Sequence, residues 1–62
     1  MKFREIEKII LSDGWIYKQT VGSHFQYIHP FKKGKVTIPN HKGDIPKIVE
    51  KSIFKQAQLK KE

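Results

Sequence analysis

Three histidines, His24, His29 and His41, are the side chains of this sequence best suited to moving a proton at neutral pH. Two of them lie in the stretch VGSHFQYIHP, residues 21–30, which Gly22-Ser23-His24 opens and His29-Pro30 closes. Metal binding, nucleophilic catalysis and acid–base catalysis are the uses such residues allow. A metal site is disfavoured because His24 and His29 are an odd number of residues apart and point to opposite faces of a strand. No Asp, Glu or Cys stands near enough in sequence to complete a ligand set, so no metal is expected. A Ser-His-Asp hydrolase fails too, since Ser23 adjoins His24 and diverges from it along the strand. Neither GxGxxG nor a Walker pattern is present, which removes a nucleotide-binding loop. Acid–base chemistry at His24 remains, with Gly22 freeing the backbone for an unusual turn just before it. On the local pattern alone, a surface histidine with no role is the simpler reading.

What surrounds these residues narrows the substrate. Thirteen Lys and Arg against six Asp and Glu give the 62 residues a formal charge of +7. That balance favours a polyanionic partner, nucleic acid first, over a merely soluble basic domain. The lysines are scattered through folded-looking segments and form no polybasic tail, which argues against a membrane surface. With no cysteine there is neither a disulfide framework nor a thiolate zinc site, which fits a reducing cytoplasm. MKFREIEKIILSDG is charged throughout and resembles neither a signal peptide nor a membrane span. One domain over residues 1–62 is expected, with a thin core, because a chain of this size buries only about 60% of its unfolded surface.

The elements that must position His24 follow from apolar spacing. Phe3, Ile6, Ile9 and Ile10 recur at helical intervals, predicting a helix over 3–12 that Asp13-Gly14 stops. Residues 15–20, WIYKQT, predict a first strand, and Val21-Gly22-Ser23 a tight connection. His24 to His29 predict a second strand with Phe25 and Tyr27 on one face and His24, Gln26 and Ile28 on the other. Pro30 closes it, Phe31–Gly34 is a hairpin loop, and Lys35–Ile38 is a third strand ended by Pro39. Asp44 is the expected N-cap of a second helix over 46–58, with Val49, Ile53 and Ala57 inward. Phe54, on its flank, is either an interface residue or packed on the sheet edge. The expected fold is α+β, α-β-β-β-α, a three-stranded antiparallel sheet with two helices packed on one face. Lys47, Lys51 and Lys55 line one side of the second helix, either as phosphate contacts or as an ordinary solvated face.

Several of these short motifs together resemble the HicA-type toxins, the mRNA interferases of bacterial and archaeal toxin–antitoxin pairs. The resemblance rests on Asp13-Gly14-Trp15, on Gly22-Ser23-His24 followed by Tyr27 and His29-Pro30, and on Val36-Thr37-Ile38-Pro39. Lys51-Ser52-Ile53 and Lys55-Gln56-Ala57 complete it, so that it spans the chain from the first helix to Leu59. It implies a fold like the double-stranded-RNA-binding domain, a catalytic histidine at His24, and ribosome-independent cleavage of mRNA. It also implies a HicB-type antitoxin that covers the histidine, operator DNA bound only through the antitoxin complex, and a cytoplasmic setting. The chain departs from the pattern where members often carry Gly-Thr-Leu and it has Ile48-Val49-Glu50. It departs again where they carry Ala-Gly-Leu and it has Ala57-Gln58-Leu59.

Under that resemblance His24 takes the 2′-hydroxyl proton or protonates the leaving 5′-oxygen, with no cofactor. Tyr27, His29, His41 or water are the options for the second proton, and His29 reads as structural rather than catalytic. Lys18, Gly22, Ser23, Lys47 and Lys51 are the expected RNA contacts, the hairpin through its backbone N–H groups. The rival is a non-catalytic double-stranded-RNA-binding module of the same fold, which would read A-form shape without turnover.

Overall fold

The computed structural model describes residues 1–40 and 42–59. Helix α1 spans Phe3–Ser12, strands β1 Ile16–Val21, β2 His24–Ile28 and β3 Val36–Pro39 follow, and helix α2 spans Lys47–Gln56. The α-β-β-β-α order expected from the sequence is the order found.

Each helix is delimited by identifiable chemistry. At the start of α1 the Lys2 backbone N–H donates to Glu5 Oε1 at 2.8 Å, one half of a capping box. Both helices end in the same way, a left-handed residue followed by a pair of backbone bonds that satisfy otherwise orphaned carbonyls. In α1, Gly14 (φ +104°) and Trp15 donate to the carbonyls of Leu11 and Ile10. In α2, Gln58 (φ +58°) and Leu59 donate to those of Lys55 and Phe54.

The sheet order is β1-β2-β3, antiparallel throughout, with β2 central. Tyr27 stands opposite Tyr17 and Val36, and Phe25 opposite Thr20 and Ile38, so these share the face turned to the helices. His24, Gln26 and Ile28 take the opposite, open face, as alternation requires. A register shift between Tyr17 and Gln19 makes Lys18 the extra residue of a β-bulge.

One core joins the elements. Ile6 and Ile10 of α1 meet Tyr27, Val36 and Ile38 of the sheet, Ile53, Phe54 and Ala57 of the second helical segment, and Trp15 and Ile45 from the connections. Both helices therefore bury their apolar stripes on one sheet face.

Four local expectations are corrected. The strands run one residue later at β1 and β3 than the sequence indicates, and β2 ends at Ile28, before His29. Trp15 is then a buried connector whose indole Nε1 has no hydrogen-bond partner among the described residues. Asp44 does not cap α2: Pro46 holds that position, and Asp44 instead bridges to Lys2. The second helix is shorter than residues 46–58, because left-handed Gln58 stops it. Phe54 is buried in the core, which removes it as a surface interface residue, while Ile48 of the same helix is 84% exposed.

Candidate active site

The two histidines of residues 21–30 sit at opposite ends of β2 and in opposite circumstances. His29 is saturated. Its Nδ1 accepts the backbone N–H groups of Phe31 at 3.0 Å and Lys32 at 3.1 Å. With Nδ1 used as acceptor, the ring proton lies on Nε2 and donates to the Asp13 carbonyl at 2.8 Å. The ring also meets Trp15 edge-on, centroids 5.1 Å apart.

This clamp accounts for several sequence features at once. A Cβ on Gly14 would fall 2.8 Å from His29 Nε2, so glycine is required there both by its positive φ and by the close approach of the ring. Lys32 Nζ pairs with the Asp13 carboxylate and also donates to the Ala57 carbonyl at 3.2 Å, tying together the C-terminal ends of both helices. Asp13-Gly14-Trp15 and His29-Pro30 are thus one structural lock.

Tyr27 is equally committed. Its hydroxyl donates to Glu7 Oε2 at 2.6 Å. Burial first, then this bond and the Glu7 charge, push the phenol far above its ordinary range. A phenol so held neither gives nor takes a proton near neutrality. Tyr27 and His29 are thereby set aside as second proton carriers, while His41 lies outside the described residues.

His24 differs from both. It opens β2 on the exposed open face, between Val21 and Pro39 of the flanking strands, and its ring makes no hydrogen bond or ion pair among the described residues. Gly22 and Ser23 form the two-residue loop joining β1 to β2, with positive φ (+62°) at Gly22 only. A glycine in that first position marks a type II′ turn, whose twist matches that of the paired strands. The loop is exposed, and the Ser23 carbonyl accepts the Asn40 N–H at 2.8 Å, which fixes the chain after β3 against the hairpin.

The structure thus holds an exposed imidazole at a glycine-containing hairpin and, past the other end of β2, a second histidine consumed by structure. Residues 3–59 match the model of the HicA toxin family, described as HicA toxin of bacterial toxin–antitoxin. The chain belongs to the HicA toxin family. No curated protein matches it closely enough to add to that assignment.

Membership of the HicA family makes the departures in the second helix informative. Gln58 takes the left-handed position that ends α2, where the resembling sequences carry glycine, and its side-chain Nε2 donates to the Lys33 carbonyl at 2.9 Å. Glu50, in the departing Ile48-Val49-Glu50 run, is buried with Oε1 3.1 Å from the Met1 amino group. Both changes are absorbed locally and neither reaches the hairpin.

Of the expected RNA contacts, Gly22 and Ser23 adjoin His24 directly. Lys18 lies in the β1 bulge, between the pairs Tyr17–Tyr27 and Gln19–Gln26, on the same hairpin. Lys47 and Lys51 are exposed on α2, in the helix layer, whereas His24 is on the open side of the sheet. Sequence reasoning passed over the cations of α1, Arg4 and Lys8, which line an open groove together with Lys2, Phe25 and Asn40. Their four-residue spacing was the available signal.

Proposed function

We propose that this HicA-family toxin is an endoribonuclease that cleaves mRNA through His24 and so blocks translation. The observation that carries the proposal is the pairing of a free, exposed His24 at the Gly22-Ser23 turn with a His29 whose two nitrogens are fully occupied.

The chemistry is transfer within the RNA backbone. The 2′-oxygen attacks the adjacent phosphorus, the bond from phosphorus to the 5′-oxygen breaks, and a 2′,3′-cyclic phosphate and a free 5′-hydroxyl result. One proton leaves the 2′-hydroxyl and one reaches the 5′-oxygen. His24 Nδ1 or Nε2 carries one of these transfers. We assign the other to solvent, since the hairpin is exposed, Tyr27 and His29 are committed, and His41 lies outside the described residues. No cofactor enters the scheme. Backbone N–H groups at Gly22-Ser23 hold the scissile phosphate, and Lys18, Lys47 and Lys51 add salt-sensitive attraction. A HicB-type antitoxin neutralises the toxin by covering His24, operator DNA is reached only through that complex, and the setting is cytoplasmic. No helix among the described residues is long and apolar enough to cross a membrane.

The test is a gel of end-labelled RNA incubated with the wild type and with His24→Ala. Fragments ending in a cyclic phosphate with the wild type, and full-length RNA with the variant, are expected. Uncut RNA with both proteins, bound with equal affinity, would instead identify a non-catalytic double-stranded-RNA-binding module.

A further inference from the structure

The groove along α1 has the chemistry of a single-stranded nucleic-acid track and leads to the hairpin that carries His24. Its wall includes Lys2, Arg4 and Lys8, none of which forms an ion pair among the described residues. Arg4 and Lys8 are one helical turn apart on the same side of α1, about 6 Å along its axis, so each can meet a different phosphate. The carboxylate in the lining, Glu7, is engaged by the Tyr27 hydroxyl and turned toward the core, which leaves the cations the exposed charge of the groove.

The groove also offers rings. Phe3 and Phe25 are half-buried in its lining and meet edge-on at 4.9 Å. An aromatic surface beside a row of cations is the combination by which proteins hold unpaired bases and their phosphates together. A duplex keeps its bases stacked on one another and has no use for such a surface.

Continuity with the reaction site comes from two connections. Asn40, in the groove wall, donates its N–H to the Ser23 carbonyl, and Phe25 directly follows His24 in β2. To reach His24 on the opposite face of the sheet, a strand leaving the groove must round the Gly22-Ser23 tip, where glycine carries no side chain to obstruct it. We infer that this groove, through Lys2, Arg4 and Lys8, binds the single-stranded RNA flanking the scissile bond. The inference rests on the nuclease reading above for the identity of the reaction, but its binding test is separate from cleavage.

The probe is a fluorescent 2′-O-methyl single-stranded RNA, which has no 2′-hydroxyl to react, titrated by anisotropy at several salt concentrations into the His24→Ala protein. Adding Lys2→Ala, Arg4→Ala and Lys8→Ala should weaken binding and flatten the slope of log K against log salt by about 2, from three phosphates at ~0.7 each. Removing three cations at the other end, Lys33→Ala, Lys35→Ala and Lys55→Ala, should change the slope less. The double variant Arg4→Gln/Lys8→Gln keeps good helix formers on exposed positions and should flatten the slope by about 1.4, which guards against a folding artefact. A slope equal to the parent's in both groove variants overturns the inference, even if the wild type cuts RNA. Loss of binding in a protein that never cuts RNA keeps the groove and removes the nuclease reading. Unchanged RNA binding with escape from the antitoxin would assign the groove to a protein partner and also overturns it.

Discussion

Replacing each histidine of β2 and its border by alanine should separate stability from chemistry. His29→Ala removes three hydrogen bonds, from Nε2 to Asp13 and to Nδ1 from Phe31 and Lys32, of which the Phe31 bond is exposed. At about 1 kcal/mol net for each sheltered bond and less for the exposed one, the bonds amount to roughly 2 kcal/mol. Loss of the Trp15 edge contact adds about 0.5 kcal/mol. A total of about 2–3 kcal/mol lowers the Tm of a domain this small by roughly 10–20 °C. His24→Ala removes no such partner, and its exposed position predicts a change within ±0.5 kcal/mol.

The assay is thermal unfolding followed by circular dichroism, with RNA cleavage measured on the same samples well below each Tm. His29→Ala should melt early yet cut RNA at a rate near wild type while folded. His24→Ala should melt with the wild type and cut nothing. A His29→Ala protein that melts with the wild type would refute the clamp. A folded His29→Ala protein with no activity would place His29 in the chemistry, and the assignment of a single catalytic histidine would fall.

Three further outcomes follow from individual contacts. Gly22→Ala meets no steric obstacle but forces φ +62° on an L-residue, at a cost of about 1–2 kcal/mol by urea unfolding, and should lower cleavage by disturbing the turn before His24. Tyr27→Phe tests the buried phenol: its folded pKa is raised above the unfolded value of 10.0, so its stabilising contribution is complete below that pH and is lost as pH rises beyond it. The wild type should therefore lose more stability than the Phe variant between neutral and strongly alkaline pH, in parallel urea titrations, while cleavage at neutral pH is retained. Gln58→Gly should be more stable than Gln58→Ala by about 1 kcal/mol, because both lose the bond to Lys33 but only glycine accepts φ +58° without strain.

Periodicity alone located every element, because Ile6 and Ile10 on α1 and Phe25 and Tyr27 on β2 bury as three- and two-residue spacing demands. The tight connection between β1 and β2 was legible in Gly22, whereas the expected extension of β2 to His29 was not met. The clamp was not legible. Asp13, His29, Lys32 and Ala57 are brought together only by folding, and nothing in the order of residues says that Lys32 spans two helix ends. Asp44 misled for a related reason. An aspartate two residues before a proline is a good N-cap locally, but here its backbone pairs with Lys2 and fixes the start of α1. Arg4 and Lys8 lie on the exposed face of the amphipathic helix α1. The groove beside them is completed by Asn40 and Gly43, which are distant from α1 in sequence and meet it only on folding.

The two ends of the sheet are built differently. At one end the Gly14 turn, the His29 ring and Lys32 join α1, β2 and the end of α2 through directional bonds. That rigidity is local and leaves the far end of β2 free of structural duty. There the chain places the imidazole of His24, at a turn whose backbone is fixed by Gly22 and by the bond between Asn40 and Ser23. An acid–base group must remain able to change protonation and to reach solvent or substrate, so it cannot share the bonds that hold a fold together. On the proposed function, two histidines five residues apart meet these incompatible demands separately, one at the start of β2 and the other just past its end.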